Sequence, residues 1–384
     1  MIRFIFLSLK FCEFSSFYMF GKMMDKSGTK KNYYMSAFLP ILVYTMVEGL
    51  RFGRRIDWNI YCQRYNEIES YDKFLSEPIF YWTSLFLRDM GLPYPFFIVL
   101  LSLLFIVSAV IYLSNYKGCL EWAMPLLLLY TSLSENYIRW YFGISFVLLS
   151  LHFLQNIDYV KSLIFAIVSV LIHNGIIFIY PFFFLTFFDE KKIIPKNISI
   201  LLVFFTTFFG NISSFNFIQG IAMDISFLTG DDYSVSNYLG KVDDIVSGNF
   251  GSIGYIRKNI RTQIINFILS ILFIYYGYPN SGGKKYSGIY NFFVIGVILS
   301  PIFTQVEIFD RYADFLCIFT CIIGANAIKY LYGNSRLLVV VIIVCLLYNI
   351  YLYLYLFRNE YTMLFIWDSD GRDLLPYWNL RGMW

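Results

Sequence analysis

Three arginines stand where apolar runs begin or end. Arg51 closes AFLPILVYTMVEGL, Arg139 is the second residue of IRWYFGISFVLLSL, and Arg311 opens RYADFLCIFT. A guanidinium is a planar fork of donors that keeps its charge, so it suits bidentate binding of phosphate or carboxylate. At the end of a greasy segment the anion it meets would be one held close to a membrane. The ordinary reading of any one of these arginines is a side chain reaching for the headgroup region. Around Arg51 lie Glu48, three residues earlier and able to orient or merely neutralise it, and then Arg54, Arg55, Asp57 and Tyr61. His173 sits between two apolar runs and is followed by Asn174 and Gly175, as at a helix end. A neutral imidazole there could hydrogen-bond a phosphate oxygen or accept a proton. The carboxylates suited to proton transfer are Asp57, Glu77 and the group Asp231, Asp232, Asp243 and Asp244, and a carboxylate near a bilayer is expected to have a raised pKa. Asp57 is preferred as base or as the partner that orients an arginine, with a salt bridge to Arg51 or Arg55 as the competing reading.

Other chemistries lack their residues. Asp368-Ser-Asp370-Gly-Arg-Asp373 has the beginning of a calcium loop, but the downstream glutamate is missing and no metal site is expected. Five of the six cysteines (Cys12, Cys119, Cys317, Cys321 and Cys345) lie in apolar runs and Cys62 lies alone in a polar one. That pattern supports neither a disulfide framework nor a zinc site. The sequence contains no nucleophile elbow, no phosphate-cradling glycine loop and no nucleic-acid module, so nucleic acid is not expected as a partner.

The composition says what kind of elements must hold these groups. Of 384 residues 58% are hydrophobic and only 15% charged, against about 25% charged in soluble domains. The expected fold is an all-α polytopic membrane protein forming one integral domain over 1–384. About twenty apolar residues cross a bilayer. On that ruler about twelve helices fall near 2–20, 33–50, 95–114, 120–134, 140–156, 160–173, 175–188, 198–213, 262–277, 289–305, 312–330 and 337–357. The first carries Lys10 and Glu13 three residues apart, which reads as an ion pair inside a retained helix rather than as a signal peptide. Assigning alternate loops to two sides collects Lys26, Lys30, Lys31, Lys117, Lys161 and Lys192 on one side, which is the cytoplasmic side by the positive-inside rule, and nearly all arginines on the other. The outer side holds two long loops, 51–94 and 214–261, and a tail, 358–384. The two loops mix aromatic residues with carboxylates, a combination that suits carbohydrate: rings stack on sugar faces while carboxylates accept from hydroxyls.

In chain order, Leu50-Arg51-Phe52-Gly53 with Asp57 and Tyr61, then Glu77-Pro78-Ile79-Phe80, Ile138-Arg139-Trp140, Leu171-Ile172-His173-Asn174 and Arg311-Tyr312 resemble the signature of the EpsG family, the polytopic Wzy-type polymerases of bacterial exopolysaccharide and O-antigen. Two positions depart from it: Arg55 stands where a glycine is usual, two residues before the aspartate, and Trp140 replaces a glutamine. The resemblance implies a GT-C-like helical frame in the bacterial inner membrane, with its site facing the periplasm. It implies glycosyl transfer without metal or cofactor, in which a growing glycan leaves its undecaprenyl pyrophosphate for a sugar hydroxyl of the next lipid-linked unit. Membrane lipids and a chain-length regulator join the lipid-linked oligosaccharide as implied partners. For that reaction Arg51, Arg139, Arg311, His173 and Asp57 are the catalytic candidates, and Glu77, Tyr61, Arg55, Asp231 and Asp232 the substrate-binding ones. A flippase for lipid-linked units and an O-antigen ligase are the alternatives. A flippase should carry charges deep within its helices and have short outer loops, whereas here the helix centres are mostly apolar. A ligase differs in its acceptor.

Overall fold

The computed structural model describes residues 2–51, 56–68, 77–187, 192–210, 260–278, 284–304 and 307–359, and all their regular structure is helical. The expected loop residues 214–259 and tail residues beyond 359 lie outside the described residues, as do Arg55, Asp231 and Asp232. Among the described residues, three stretches are by length and composition apolar enough to cross a membrane: Tyr94–Tyr116, Tyr286–Phe303 and Phe309–Asn334. Six shorter apolar helices accompany them, among them Leu120–Tyr130, Tyr159–Ile172 and Ile260–Tyr276. The chain is therefore an all-helical membrane protein, and it divides into two compact units.

The first unit covers 1–176 and 350–384. Its frame is α1 (Ile2–Asp25), α2 (Lys30–Gly49), α3 (Ile56–Asn66), α4 (Pro78–Asp89), α5 (Tyr94–Leu113), α6 (Leu120–Tyr130), α7 (Ile138–Gln155) and α8 (Tyr159–Ile172). Helix α1 packs on both α2 and α6, α2 on α5, α5 on α7, and α7 on α8, while α4 leans on α8. The alternating directions bring the turns together at two ends. At one end Asp25, the last residue of α1, accepts from the backbone N–H groups of Gly118 (2.7 Å) and Glu121 (3.2 Å). It thereby satisfies a donor in the first turn of α6 that has no partner within the helix. Gly118 there has φ +102°, a left-handed conformation that an L side chain resists. Lys117 Nζ reaches the Ser27 carbonyl (3.3 Å), and Asn115 donates to Gln155 (3.2 Å). The other end gathers the C-termini of α2, α6 and α8 and the N-terminus of α7, together with α3 and α4.

At that second end the aromatic residues become a core. Trp58 and Tyr65 of α3, Phe80 and Tyr81 of α4, Tyr94 and Phe97 of α5 and Phe142 of α7 are all buried in one cluster. Edge-on and tilted ring pairs recur through it, for example Trp58–Tyr94 at 5.2 Å and Phe80–Phe97 at 5.6 Å, the geometries that ring quadrupoles favour. The segment expected to be the first outer loop is thus largely two helices seated on the membrane frame. Residues 69–76 between them lie outside the described residues.

The second unit covers 177–349. It contains α9 (Lys196–Phe208), α10 (Ile260–Tyr276), α11 (Lys284–Phe303), α12 (Glu307–Ile318) and α13 (Thr320–Asn334), and most of α14 (Arg336–Asn359). Here α9 packs on α10 and α11, and α11 on α12. One expectation changes. The helix expected at 175–188 is a chain of short turns, Asn174–Ile179, Tyr180–Phe183 and Phe184–Phe187, because Pro181 lacks the N–H that a continuous helix would use. The helix expected at 312–330 falls within the stretch Phe309–Asn334, made of α12 and α13. The angles of Phe319 (φ −67°, ψ −12°) keep that stretch helical where the two meet.

Candidate functional site

Four of the residues singled out by type and spacing meet at the aromatic end of the first unit. Glu77 occupies the N-cap position of α4 and is followed by Pro78, a residue preorganised for the first helical turn. Its carboxylate makes no capping bond to its own helix. One oxygen, Oε2, instead accepts from Arg139 Nη1, and the other, Oε1, meets His173 Nδ1. Arg139 is the second residue of α7, a poor place for a cation, because the helix N-terminus is itself partly positive. The Glu77 carboxylate offsets that repulsion. Arg139 Nε donates to the Tyr61 hydroxyl at 2.6 Å. Its guanidinium carbon stands 5.4 Å from the Tyr61 ring centre and 5.8 Å from that of Phe80, within cation–π range. Nη2 of Arg139 takes no hydrogen bond among the described residues.

His173 is placed by the end of α8. It is the C-cap residue, extended at φ −152° and ψ 111°, and its N–H closes the helix on the Ser169 carbonyl. Trp140, the departure from the family pattern, stands edge-on to the imidazole with ring centres 5.7 Å apart. A tryptophan in place of the usual glutamine therefore gives His173 a rigid wall. The Glu77 side chain is 8% exposed, His173 13% and Arg139 20%. The group is thus sheltered from bulk water yet open on the arginine side.

The electrostatics overturn one expectation. Burial pushes the Glu77 carboxyl upward, but Arg139 and His173 more than offset it, leaving its pKa at about 2 rather than raised. Glu77 is an ionised carboxylate at any physiological pH, so it orients its two partners and does not take the proton. A carboxylate offers only lone pairs, so the His173 nitrogen that meets it, Nδ1, carries a hydrogen. In the neutral ring the basic nitrogen is then Nε2.

The other candidates fall elsewhere. Arg51 follows the end of α2 and is 4% exposed. Its guanidinium donates to the backbone carbonyls of Glu48 and of Glu135 (3.4 Å), in a second buried group that also holds Lys10 and Glu13. The expected Lys10–Glu13 pair is present at 3.0 Å. Asp57 lies half-buried in the first turn of α3, four residues before Tyr61. Arg311 lies on α12 in the second unit, half-buried beside Tyr312, whose ring stands edge-on to Phe178. Sequence reasoning missed Glu135 and the role of Phe80. The only signal for Glu135 was a lone acid in SLSENYIRW, four residues before Arg139.

A family model described as the EpsG family matches residues 31–369. No curated protein and no solved structure matches the chain.

Proposed function

The chain belongs to the EpsG family, which comprises Wzy-type polymerase-like membrane proteins, and from that premise we propose that it lengthens a polysaccharide from lipid-linked units. A growing glycan moves from an undecaprenyl-pyrophosphate carrier to a sugar hydroxyl of the next carrier-linked unit, at the periplasmic face of the inner membrane. The observation that carries this reading is the Arg139 group: a guanidinium held along two edges by Glu77 and Tyr61, with its third nitrogen available to an anion, beside an imidazole of fixed tautomer.

In the transfer the acceptor oxygen bonds to the anomeric carbon. The bond from that carbon to the pyrophosphate oxygen breaks, its electron pair leaves with the pyrophosphate, and the acceptor proton goes to a base. Charge therefore grows on the departing oxygen, where an aimed donor is worth roughly 10²- to 10³-fold. Arg139 is that donor, and His173 receives the proton at Nε2. Glu77 holds both in register, and the Tyr61 hydroxyl and ring fix the plane of the guanidinium. Asp57 orients the α3 side of the site, and Arg55 binds the sugars.

The test is a gel of surface glycan from cells that lack the protein and carry variants in its place. Arg139→Ala and His173→Ala, present in the membrane at the wild-type level, are expected to leave single repeat units where the wild type gives long ladders. Long ladders in both variants would sink the site. In the deletion strain, lipid-linked units trapped in the cytosol would favour a flippase, and polymer retained on its carrier would favour a ligase.

A further inference from the structure

The second buried group of charges lies next to the site and is not used by it. Lys10, eight residues into α1, points its ammonium at three carboxylates from three elements: Glu13 on α1 at 3.0 Å, Glu48 at the end of α2, and Glu135 in the turn Ser132–Glu135 at 3.6 Å. All are buried, with Lys10 7%, Glu48 3% and Glu135 1% exposed. A charge kept inside a membrane helix is costly and persists where something depends on it. Here one ammonium donates to Glu13 and Glu48 and pairs by charge with Glu135, so it joins three separate pieces of chain.

The piece that matters is the turn. It joins α6 to α7, and Glu135 precedes Arg139 by four residues. Beyond its own 3₁₀ turn, backbone bonds join it to its neighbours, Ser134 N–H to the Thr131 carbonyl (2.9 Å) and Ile138 N–H to the Asn136 carbonyl (2.9 Å). Its place is set by side chains reaching from α1 and α2. Lys10 holds the Glu135 carboxylate, Arg51 holds the Glu135 carbonyl, and the Tyr44 hydroxyl pairs with Ser134 Oγ at 3.3 Å. Helix α1, which carries the lysine on which this fastening turns, precedes the matched span 31–369.

We propose that Lys10 is a positioning residue for Arg139: by tying Glu135 to Glu48 and Glu13 it fixes the start of α7 and so the aim of the guanidinium at the leaving pyrophosphate. This inference rests on reading the Arg139 group as the transfer site. Loss of the tie lets the α6–α7 turn shift, and a displacement of about 1 Å at a reacting group costs on the order of 10²-fold in rate. Binding of the large lipid-linked substrate, spread over many contacts, changes little. Arginine at position 10 keeps a cation among the carboxylates and preserves most of the function.

The test uses the full-length protein in proteoliposomes, with lipid-linked repeat units extracted from producing cells that lack the protein as the probe. Lys10→Met and Glu135→Gln are each expected to lower kcat by about 10- to 100-fold with KM changed by no more than about twofold, and Lys10→Arg to recover kcat to within about threefold of the wild type. Wild-type kcat in Lys10→Met would overturn the proposal. So would failure of Lys10→Met to accumulate together with full kcat in Glu135→Gln, since Lys10 would then serve insertion alone. Arg139→Ala, run alongside, separates the two ideas. An inactive Arg139→Ala beside a normal Lys10→Met removes only the positioning role, whereas a fully active Arg139→Ala removes the site itself and the positioning role with it.

Discussion

Glu77 serves a guanidinium and an imidazole with one carboxylate, and that makes its titration readable. Its folded pKa of about 2 lies below the value near 4.3 expected in an unfolded chain. A depressed carboxylate contributes stability that is fully present above the unfolded value and is lost as pH falls through the folded one. Glu77→Gln should therefore melt lower than the wild type by a constant margin above about pH 5, and the margin should shrink between pH 4 and 2. Thermal unfolding of both purified proteins across that range checks it, and a margin that held steady to pH 3 would contradict the assignment. Tyr61 permits a finer cut, because its ring and its hydroxyl both serve Arg139. Tyr61→Phe keeps the ring and removes the acceptor 2.6 Å from Nε. A hydrogen bond to a charged group contributes roughly 1.5–3 kcal/mol, so turnover should fall at least about tenfold with the protein still folded. Ladder length measured against the amount of protein in the membrane reports it.

The elements themselves were the more legible part of the sequence. Tyr94–Leu113 and Ile138–Gln155 appear as apolar runs of about the predicted extent, since a helix that must satisfy its backbone within lipid declares itself by composition. Composition does not register contact. Glu77 meets Arg139 and His173 across 62 and 96 positions of chain, and no periodicity links such partners. Tyr61, Glu77, Arg139 and His173 could be nominated singly, but their convergence could not be read. Lys10 looked like half of a local pair because its partners at 48 and 135 lie on other helices. Helix docking has the same limit, and Gly21 illustrates it. A Cβ built there would stand 2.5 Å from the Leu120 carbonyl oxygen, so the bare glycine is what lets α1 approach the start of α6, as small residues do between membrane helices. Gly28, in the next turn, has open space around it. Gly21→Ala should cost about 1–3 kcal/mol, as overpacking does, while Gly28→Ala leaves the melting temperature nearly unchanged. Equal effects of the two substitutions would mean that α1 is not held by this contact.

At the scale of the molecule the two ends of the first unit differ in charge chemistry. The turns that join α1 to α2, α5 to α6 and α7 to α8 hold Lys26, Lys117 and Lys161 with Asp25 and Asp158. The opposite end holds Arg51, Arg64, Arg88 and Arg139 with the aromatic core. Lysine is a strongly hydrated point charge that suffices to keep a loop in the cytoplasm, and arginine is the fork that receives phosphate. On the proposed function the same partition orients the protein and equips one end of it. A carrier lipid delivered to the outer leaflet presents its pyrophosphate at headgroup depth, where helix ends lie and helix centres do not. In a variant with the six cysteines replaced, Gln63→Cys on α3 should react with a membrane-impermeant maleimide in spheroplasts. Lys26→Cys should react only after the membrane is opened, because both positions are exposed in the fold and the proposed orientation sets the bilayer between them. Labelling of Lys26→Cys in sealed spheroplasts, with Gln63→Cys protected, would put the Arg139 group on the cytoplasmic side. A polymerase fed from the outer leaflet could not work from there.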